Sequence, residues 1–416
     1  MATVRTYVFV HLAGGPVPAG LLTMTDEPRN PSATFAYGRR YLARPDRVPV
    51  DPVALPLHHP ATQRTFRTEE GFAVFGGIRD AAPDGWGQYL MYKAMGDRLP
   101  SDIDLILASG DYRVGALAFG PTPERPKRMT PWGDGDAPGE HFSLEELAEA
   151  VERAQHVDQL DENLRRLLTA GSSLGGARPK AATELDGQPW IAKFQARNDS
   201  FPECRVELAT MRLAATCGLD VPALDFRQAL GRDIYLIRRF DRTPNDGGPQ
   251  RRPFISGLTL LGAHESEVSR YSYADLAAAL RQYGVEVRRD LHELFRRMVF
   301  NILVTNDDDH LRNHGFLFDG GGWRLSPLYD VVPKPQVGLD RRLVLGVGPQ
   351  GREATLSNAL AGAAGFDLSP DEAEAMVATL RRQVAGGWEE QFRQAGVNAA
   401  DRGRFATCFR LSREDS

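Results

Sequence analysis

Residues 304–318 read V-T-N-D-D-D-H-L-R-N-H-G-F-L-F and hold the densest set of groups able to do chemistry in the chain. Three consecutive aspartates, Asp307, Asp308 and Asp309, are followed by His310 and Asn313. Carboxylates this close repel one another, and cations or hydrogen-bond donors must neutralise them. That condition points to a metal site or a catalytic loop, where the competing reading is a solvated acidic turn. Apolar residues on both sides favour the first, because they put the acidic group at the edge of a core. A further aspartate, Asp330, follows in S-P-L-Y-D-V-V-P.

The elements that must position these groups can be read from periodicity. Leu291, Leu294, Phe295, Met298, Val299, Ile302 and Leu303 recur at helical spacing, so a buried helix delivers the chain into the acidic loop, and a strand over 315–318 leaves it. Upstream, residues 169–182 (T-A-G-S-S-L-G-G-A-R-P-K-A-A) have the density of small residues that lets backbone N–H groups approach a phosphate. Gly171 and Gly176 have the outer spacing of a Walker A loop, but Ala177 stands where its lysine must be, so that motif fails. The strand over 189–194 (P-W-I-A-K-F) carries Lys193 among apolar residues, which is costly unless its ammonium has a partner. Glu207, in a predicted helix over 205–217 stopped by Gly218, is a candidate. A strand over 233–240 includes Arg238, Arg239 and Phe240. Ser272 caps a helix over 273–283, and Ser369 with Pro370 starts one running toward Trp388.

Before this region, the residues at 3–12, 19–24, 34–41 and 112–119 read as strands, and Asp84 can cap a helix over 85–95 anchored by Trp86. We therefore expect a small β-rich amino-terminal subdomain over 1–120, structural or regulatory in role. A linker rich in Pro, Gly and Asp is expected over 121–142. A helix then opens at Ser143, with Glu146 completing a capping box.

The 416 residues suggest roughly two to three domains. A net charge of −5 argues against coating nucleic acid by bulk charge. Cys204, Cys217 and Cys408 have no paired spacing, so they support neither a disulfide framework nor a zinc knuckle, and a reducing cytoplasm is the simplest setting. No signal peptide or membrane span is expected, since no apolar run reaches about 18 residues.

Taken in order, a glycine-rich loop, a strand lysine, a helix glutamate, a linking strand, a buried helix, a D-x-x-x-x-N loop and a late aspartate are the parts of a protein kinase. Asp308 and Asn313 have the catalytic-loop spacing, and Asp330 takes the metal-binding place. Asp307 and Asp309 rank below Asp308, because alternation along an extended loop turns them away.

The segments S-S-L-G-G-A-R-P-K-A, I-A-K-F, R-R-F-D-R, N-D-D-D-H-L-R-N-H-G-F and L-S-P-L-Y-D-V-V-P resemble the HipA family of bacterial toxin kinases, and R-V-G-A-L-A-F and P-D-G-W-G resemble its amino-terminal subdomain. The resemblance implies an α+β, protein-kinase-like fold of two lobes, with the kinase core over 143–416, its ATP-binding lobe ending near 245 and a mainly helical lobe after it. It implies a serine/threonine kinase using ATP and Mg2+, with Asp308 as base and Asn313 and Asp330 as magnesium ligands. Gly175, Gly176, Ala177, Arg178, Pro179 and Lys180 then form the ATP loop and Lys193 contacts the phosphates. Arg238, Arg239 and Phe240 lie at the adenine-side hinge, with His310 and Tyr329 also in the nucleotide set. Ser173, or Ser172 beside it, matches the serine that such kinases autophosphorylate to silence themselves. The implied partners are a HipB-like helix-turn-helix antitoxin, operator DNA only through it, and a protein substrate such as an aminoacyl-tRNA synthetase. A small-molecule hydroxyl kinase on a related fold and a non-catalytic, antitoxin-binding corepressor are the alternatives.

Overall fold

A computed structural model describes residues 2–26, 31–57, 65–96, 98–108, 110, 112–127, 142–168, 174–244, 250–335 and 341–413. Contacts divide the chain into two compact units, Met1–Arg197 with Gln228–Ile255, and Asn198–Arg227 with Ser256–Ser416.

The first unit is built on two antiparallel sheets. The strands Phe66–Arg67, Ser32–Tyr37, Gly15–Asp26, Ala2–Leu12 and Leu117–Gly120 lie in that order in one sheet. Its alternating residues Val8, Val10, Leu22, Met24 and Phe35 enter one apolar core. Two expectations shorten here. The strand read over 34–41 ends at Tyr37, and residues Arg39–Leu42 form a helical turn. Tyr41 is thereby placed so that its buried hydroxyl donates to the Val48 carbonyl at 2.7 Å. Of the strand read over 112–119, only Leu117–Gly120 pairs. The carbonyls of Tyr112, Arg113 and Gly115 are taken by the guanidinium groups of Arg239 and Arg242, and the Gly115 N–H donates to Asp241 at 2.8 Å. Backbone groups so engaged cannot join a ladder.

The second sheet has the order Lys180–Leu185, Gln188–Phe194, Arg232–Arg238, Leu224–Ala229. The helix Leu144–His156 opens on the expected Ser143–Glu146 capping box. Its Leu147, Ala148 and Val151 share a core with Ala181, Ala192 and Leu236 of the sheet. Trp86 and Leu90, from the helix Gly85–Ala94, enter that same core rather than the core of the amino-terminal sheet. The seven-residue helices Asp102–Ala108 and Glu162–Leu168 are absent from the sequence reading; two turns are too short to show a period.

The second unit surrounds the helix Val287–Val304, whose residues from Met298 to Val304 are all buried. Pro370–Gln394 and Tyr273–Tyr283 pack on this helix, and Glu203–Thr216 packs on Pro370–Gln394. The capping boxes at Ser272 and Ser369 form as their sequences require, closed by Asp275 and Glu372. The hairpin Gly315–Asp319 with Gly322–Leu325 follows the acidic loop. Among the described residues, no helix is long and apolar enough to cross a membrane.

Candidate active site

The buried helix ends at Thr305, which adopts a left-handed conformation with φ 58°. A β-branched residue is strained there and must be held by its surroundings. Its hydroxyl donates to the Cys408 carbonyl at 2.6 Å and accepts from Arg341 at 2.8 Å. Asn306 then returns to the helix, its backbone N–H donating to the Asn301 carbonyl at 2.9 Å and its side chain to Asn301 Oδ1 at 3.1 Å. The acidic loop thus starts from a rigid base.

The three aspartates have separate fates. Asp309 is buried, and its Oδ2 accepts from the Tyr273 hydroxyl and faces His314 Nε2 at 3.0 Å. Asn301 Nδ2 donates to the same Tyr273 hydroxyl at 3.1 Å. Burial pushes the Asp309 carboxyl up, but the His314 charge and hydrogen bond and the Tyr273 hydroxyl outweigh it and hold the group below the usual carboxylate range. Burial and the neighbouring Asp309 charge push the Tyr273 phenol well above its ordinary value. Asp308 points the other way, with 60% of its side chain exposed, against 27% for Asp307. Lys334 Nζ lies 3.1 Å from Asp308 Oδ2 and 3.6 Å from Asp307 Oδ1. A backbone hydrogen bond of 3.0 Å, from the Lys334 N–H to the Thr305 carbonyl, places that lysine beside the loop.

His310 precedes a single turn of 3-10 helix, Leu311–Asn313, and the Asn313 N–H donates to its carbonyl at 2.8 Å. The His310 Nδ1 and His314 Nδ1 atoms are buried with no hydrogen-bond partner among the described residues. Asn313 Nδ2 donates to the Asp308 carbonyl at 3.1 Å, which leaves Oδ1 as its oxygen donor. Asp330 sits in a left-handed conformation with φ 63°. Its neighbours are tied down, with the Leu328 N–H on the Asp220 carbonyl and the Tyr329 hydroxyl on the Arg312 carbonyl, both at 2.7 Å. An amide oxygen and a carboxylate are hard donors that suit Mg2+, which keeps waters and substrate phosphates for its remaining positions. Among the described residues, no cluster of three His, Cys, Asp or Glu is poised for a metal.

On the first unit, Lys193 and Lys180 are cross-strand neighbours, and both are buried. Lys180 Nζ donates to the Gly175 carbonyl at 2.6 Å, and Lys193 Nζ lies 5.8 Å from the centre of the Tyr235 ring. Gly176 turns the loop with φ +92°, with Ala177, Arg178 and Pro179 following before the strand. The Arg238 side chain reaches Gln188 Oε1. Arg239 is buried, with its guanidinium committed to Asp241 and to the Tyr112 and Arg113 carbonyls and its backbone N–H donating to the Pro189 carbonyl at 3.0 Å. Phe240 stands with its ring centre 6.4 Å from that of Phe254. Burial pushes the Asp241 carboxyl up, but the charges of Arg239 and Arg242 outweigh it and hold it far below the carboxylate range. Glu207 is buried in the helix Glu203–Thr216, which belongs to the second unit. Ser172 and Ser173 lie outside the described residues.

Three features escaped the sequence reading. Lys334 had a weak signal, four positions after Asp330. Tyr273 had none, since it meets Asp309 from 36 residues away. Asp84 read as a helix cap, yet its side chain makes no capping bond and instead accepts from the Gly176 N–H.

A fold of this kind with such a loop defines a protein-kinase-like class. The chain belongs to the HipA family: the family described as HipA-like C-terminal domain matches residues 172–388. A relative from Sinorhizobium fredii named "Putative kinase Y4mE" is 26% identical over 324 residues, spanning 72% of this chain and 71% of the relative. A Haemophilus influenzae protein named "Putative kinase" is 29% identical over 189 residues, 40% of this chain and 55% of that protein. Among solved structures, the Shewanella oneidensis HipA toxin–antitoxin complex with HipB and operator DNA aligns at a TM-score of 0.66 and 16% identity. That alignment covers 98% of this chain and 95% of the other, and at that identity it speaks for the fold.

Proposed function

We propose that the chain is an ATP- and Mg2+-dependent serine/threonine protein kinase acting as the toxin of a toxin–antitoxin pair. The observation that carries this is the divergence of adjacent aspartates. Asp309 is locked into a buried scaffold while Asp308, next to it, is presented to solvent beside Lys334. Asp308 is then the base that accepts the substrate hydroxyl proton, and its scaffolded loop holds it in place. Asn313 and Asp330 would hold magnesium, which supplies charge neutralisation for the phosphates. The Lys334 ammonium offers a second positive charge at the position where negative charge grows during transfer. On the first unit, the loop over 175–180 and Lys193 bind the nucleotide phosphates, and residues 238–240 lie along the adenine.

The relatives named as kinases support a kinase, and the solved complex supports a HipB-like antitoxin as partner, with DNA reached through it. The setting is cytoplasmic, and the substrate is a protein such as an aminoacyl-tRNA synthetase. Ser173 is the autophosphorylation site, Ser172 the second choice. A phosphate there adds nearly two negative charges next to bound ATP and drives the loop away.

The test is incubation of the purified protein with labelled ATP and magnesium, followed by mapping of phosphorylated residues. Phosphate on Ser173 or Ser172 that disappears in Asp308→Ala, while ATP binding survives, is the expected result. Ser173→Ala prolongs activity toward an added protein substrate. ATP binding without any protein phosphorylation would instead indicate a small-molecule kinase, and phosphorylation at the wild-type rate by Asp308→Ala would remove Asp308 from its role.

A further inference from the structure

The glycine-rich loop is seated on the P-D-G-W-G segment of the amino-terminal region, at residues well outside the 172–388 family match. The Gly176 N–H donates to the Asp84 carboxylate, and the Gly176 carbonyl accepts from the Trp86 N–H at 2.9 Å. Lys180 Nζ holds the preceding carbonyl, that of Gly175, at 2.6 Å. Every polar backbone group of the Gly175–Gly176 pair that these bonds reach is therefore fixed from outside the loop itself or from its far end. The contact admits no side chain. A Cβ on Gly85, which has φ +44°, would stand 2.7 Å from the Gly176 carbonyl carbon, and one on Gly175 would stand 2.9 Å from Asp84 Oδ1. Trp86 fixes the other end of the segment by entering the core that also takes Leu174, the residue just before the glycines.

Asp84 also departs from what its position favours. It is the N-cap of the helix Gly85–Ala94, where a carboxylate ordinarily accepts from the first helical N–H groups. It makes no such bond and is turned to the loop, 92 positions along the chain.

We infer that Asp84 is a positioning residue for nucleotide binding: by accepting from the Gly176 N–H, it pre-forms the loop that takes the phosphates. This rests on the ATP-binding reading of that loop. Without the anchor, the glycines must be ordered when the nucleotide arrives, and that entropy is subtracted from affinity. The acceptor oxygen matters more than the charge, because a carboxylate near phosphates repels them. Asp84→Asn retains an oxygen acceptor of the same shape, whereas Asp84→Ala removes it.

The experiment measures affinity for a fluorescent ATP analogue with magnesium, and hydrogen exchange over 174–180 without nucleotide, in wild type, Asp84→Ala and Asp84→Asn. Asp84→Ala should bind on the order of tenfold to a hundredfold more weakly and exchange the Gly176 amide faster, with Asp84→Asn restoring both toward wild type. Wild-type affinity in Asp84→Ala, or weaker binding with unchanged exchange at Gly176, overturns the inference. If Asp84→Ala does not fold, Gly85→Ala, which pushes the loop away while leaving the carboxylate intact, must give the same paired loss. Absence of nucleotide binding by the wild type would sink the ATP reading instead, and the exchange at Gly176 would still decide whether Asp84 holds the loop.

Discussion

Replacing Asp309 by alanine should destabilise the second unit strongly, while the same change at Asp308 should leave stability almost untouched. Asp309 Oδ2 is the acceptor for the Tyr273 hydroxyl and faces His314 Nε2, and all three side chains are buried. Each buried polar group stripped of its partner costs about 1–3 kcal/mol, so losing the shared acceptor costs roughly 3–5 kcal/mol. His314 makes the upper part of that range more natural, since its Nδ1 already lacks a hydrogen-bond partner among the described residues. Asp308 instead loses a solvent-exposed pair with Lys334, worth about 0–1 kcal/mol. For a unit of this size each kcal/mol moves the melting temperature by about 2–4 °C, so Asp309→Ala should melt roughly 10 °C lower. Thermal unfolding of the two variants without ligand is the assay, read together with phosphoryl transfer. Both variants should lose transfer, Asp308→Ala with its fold intact and Asp309→Ala with a loosened loop. Equal melting temperatures for the two would refute the division of labour argued here.

The Asp241 carboxyl is held far below its ordinary value beside Arg239 and Arg242. A depressed carboxylate stabilises the fold above its unfolded value near pH 4 and loses that contribution as pH falls toward the folded value. Acid should therefore lower the melting temperature of wild type more steeply than that of Asp241→Asn below about pH 4, and parallel curves would contradict the assignment. Lys334→Ala should reduce the rate of phosphoryl transfer on the order of 10- to 100-fold while ATP affinity changes little; a purely affinity-based loss would place Lys334 outside the transfer step.

The sequence alone determined what is local or strongly periodic. The helices after Ser143, Ser272 and Ser369 begin where their capping boxes require, because a cap and its partner lie within four residues of one another. The apolar stripe around Met298 and Val299 read as a buried helix and is one. The motif order read as that of a kinase, and the resemblance of segments such as N-D-D-D-H-L-R-N-H-G-F to the HipA family is borne out by the match over 172–388. The strand expected at 112–119 was truncated for a reason no window could hold, since the groups that capture its backbone come from Arg239, Asp241 and Arg242.

The loop D-D-D-H shows the same limit at the candidate site. Three identical side chains are indistinguishable by composition, and alternation could only rank them. Tertiary structure separated them by supplying Tyr273 and His314 to one and solvent with Lys334 to its neighbour. Asp84 was assigned its nearest use, a helix cap, because propensity reads neighbours along the chain. Its actual partner, the Gly176 N–H, became available only when folding brought two distant glycine-bearing segments to a separation that no side chain could enter.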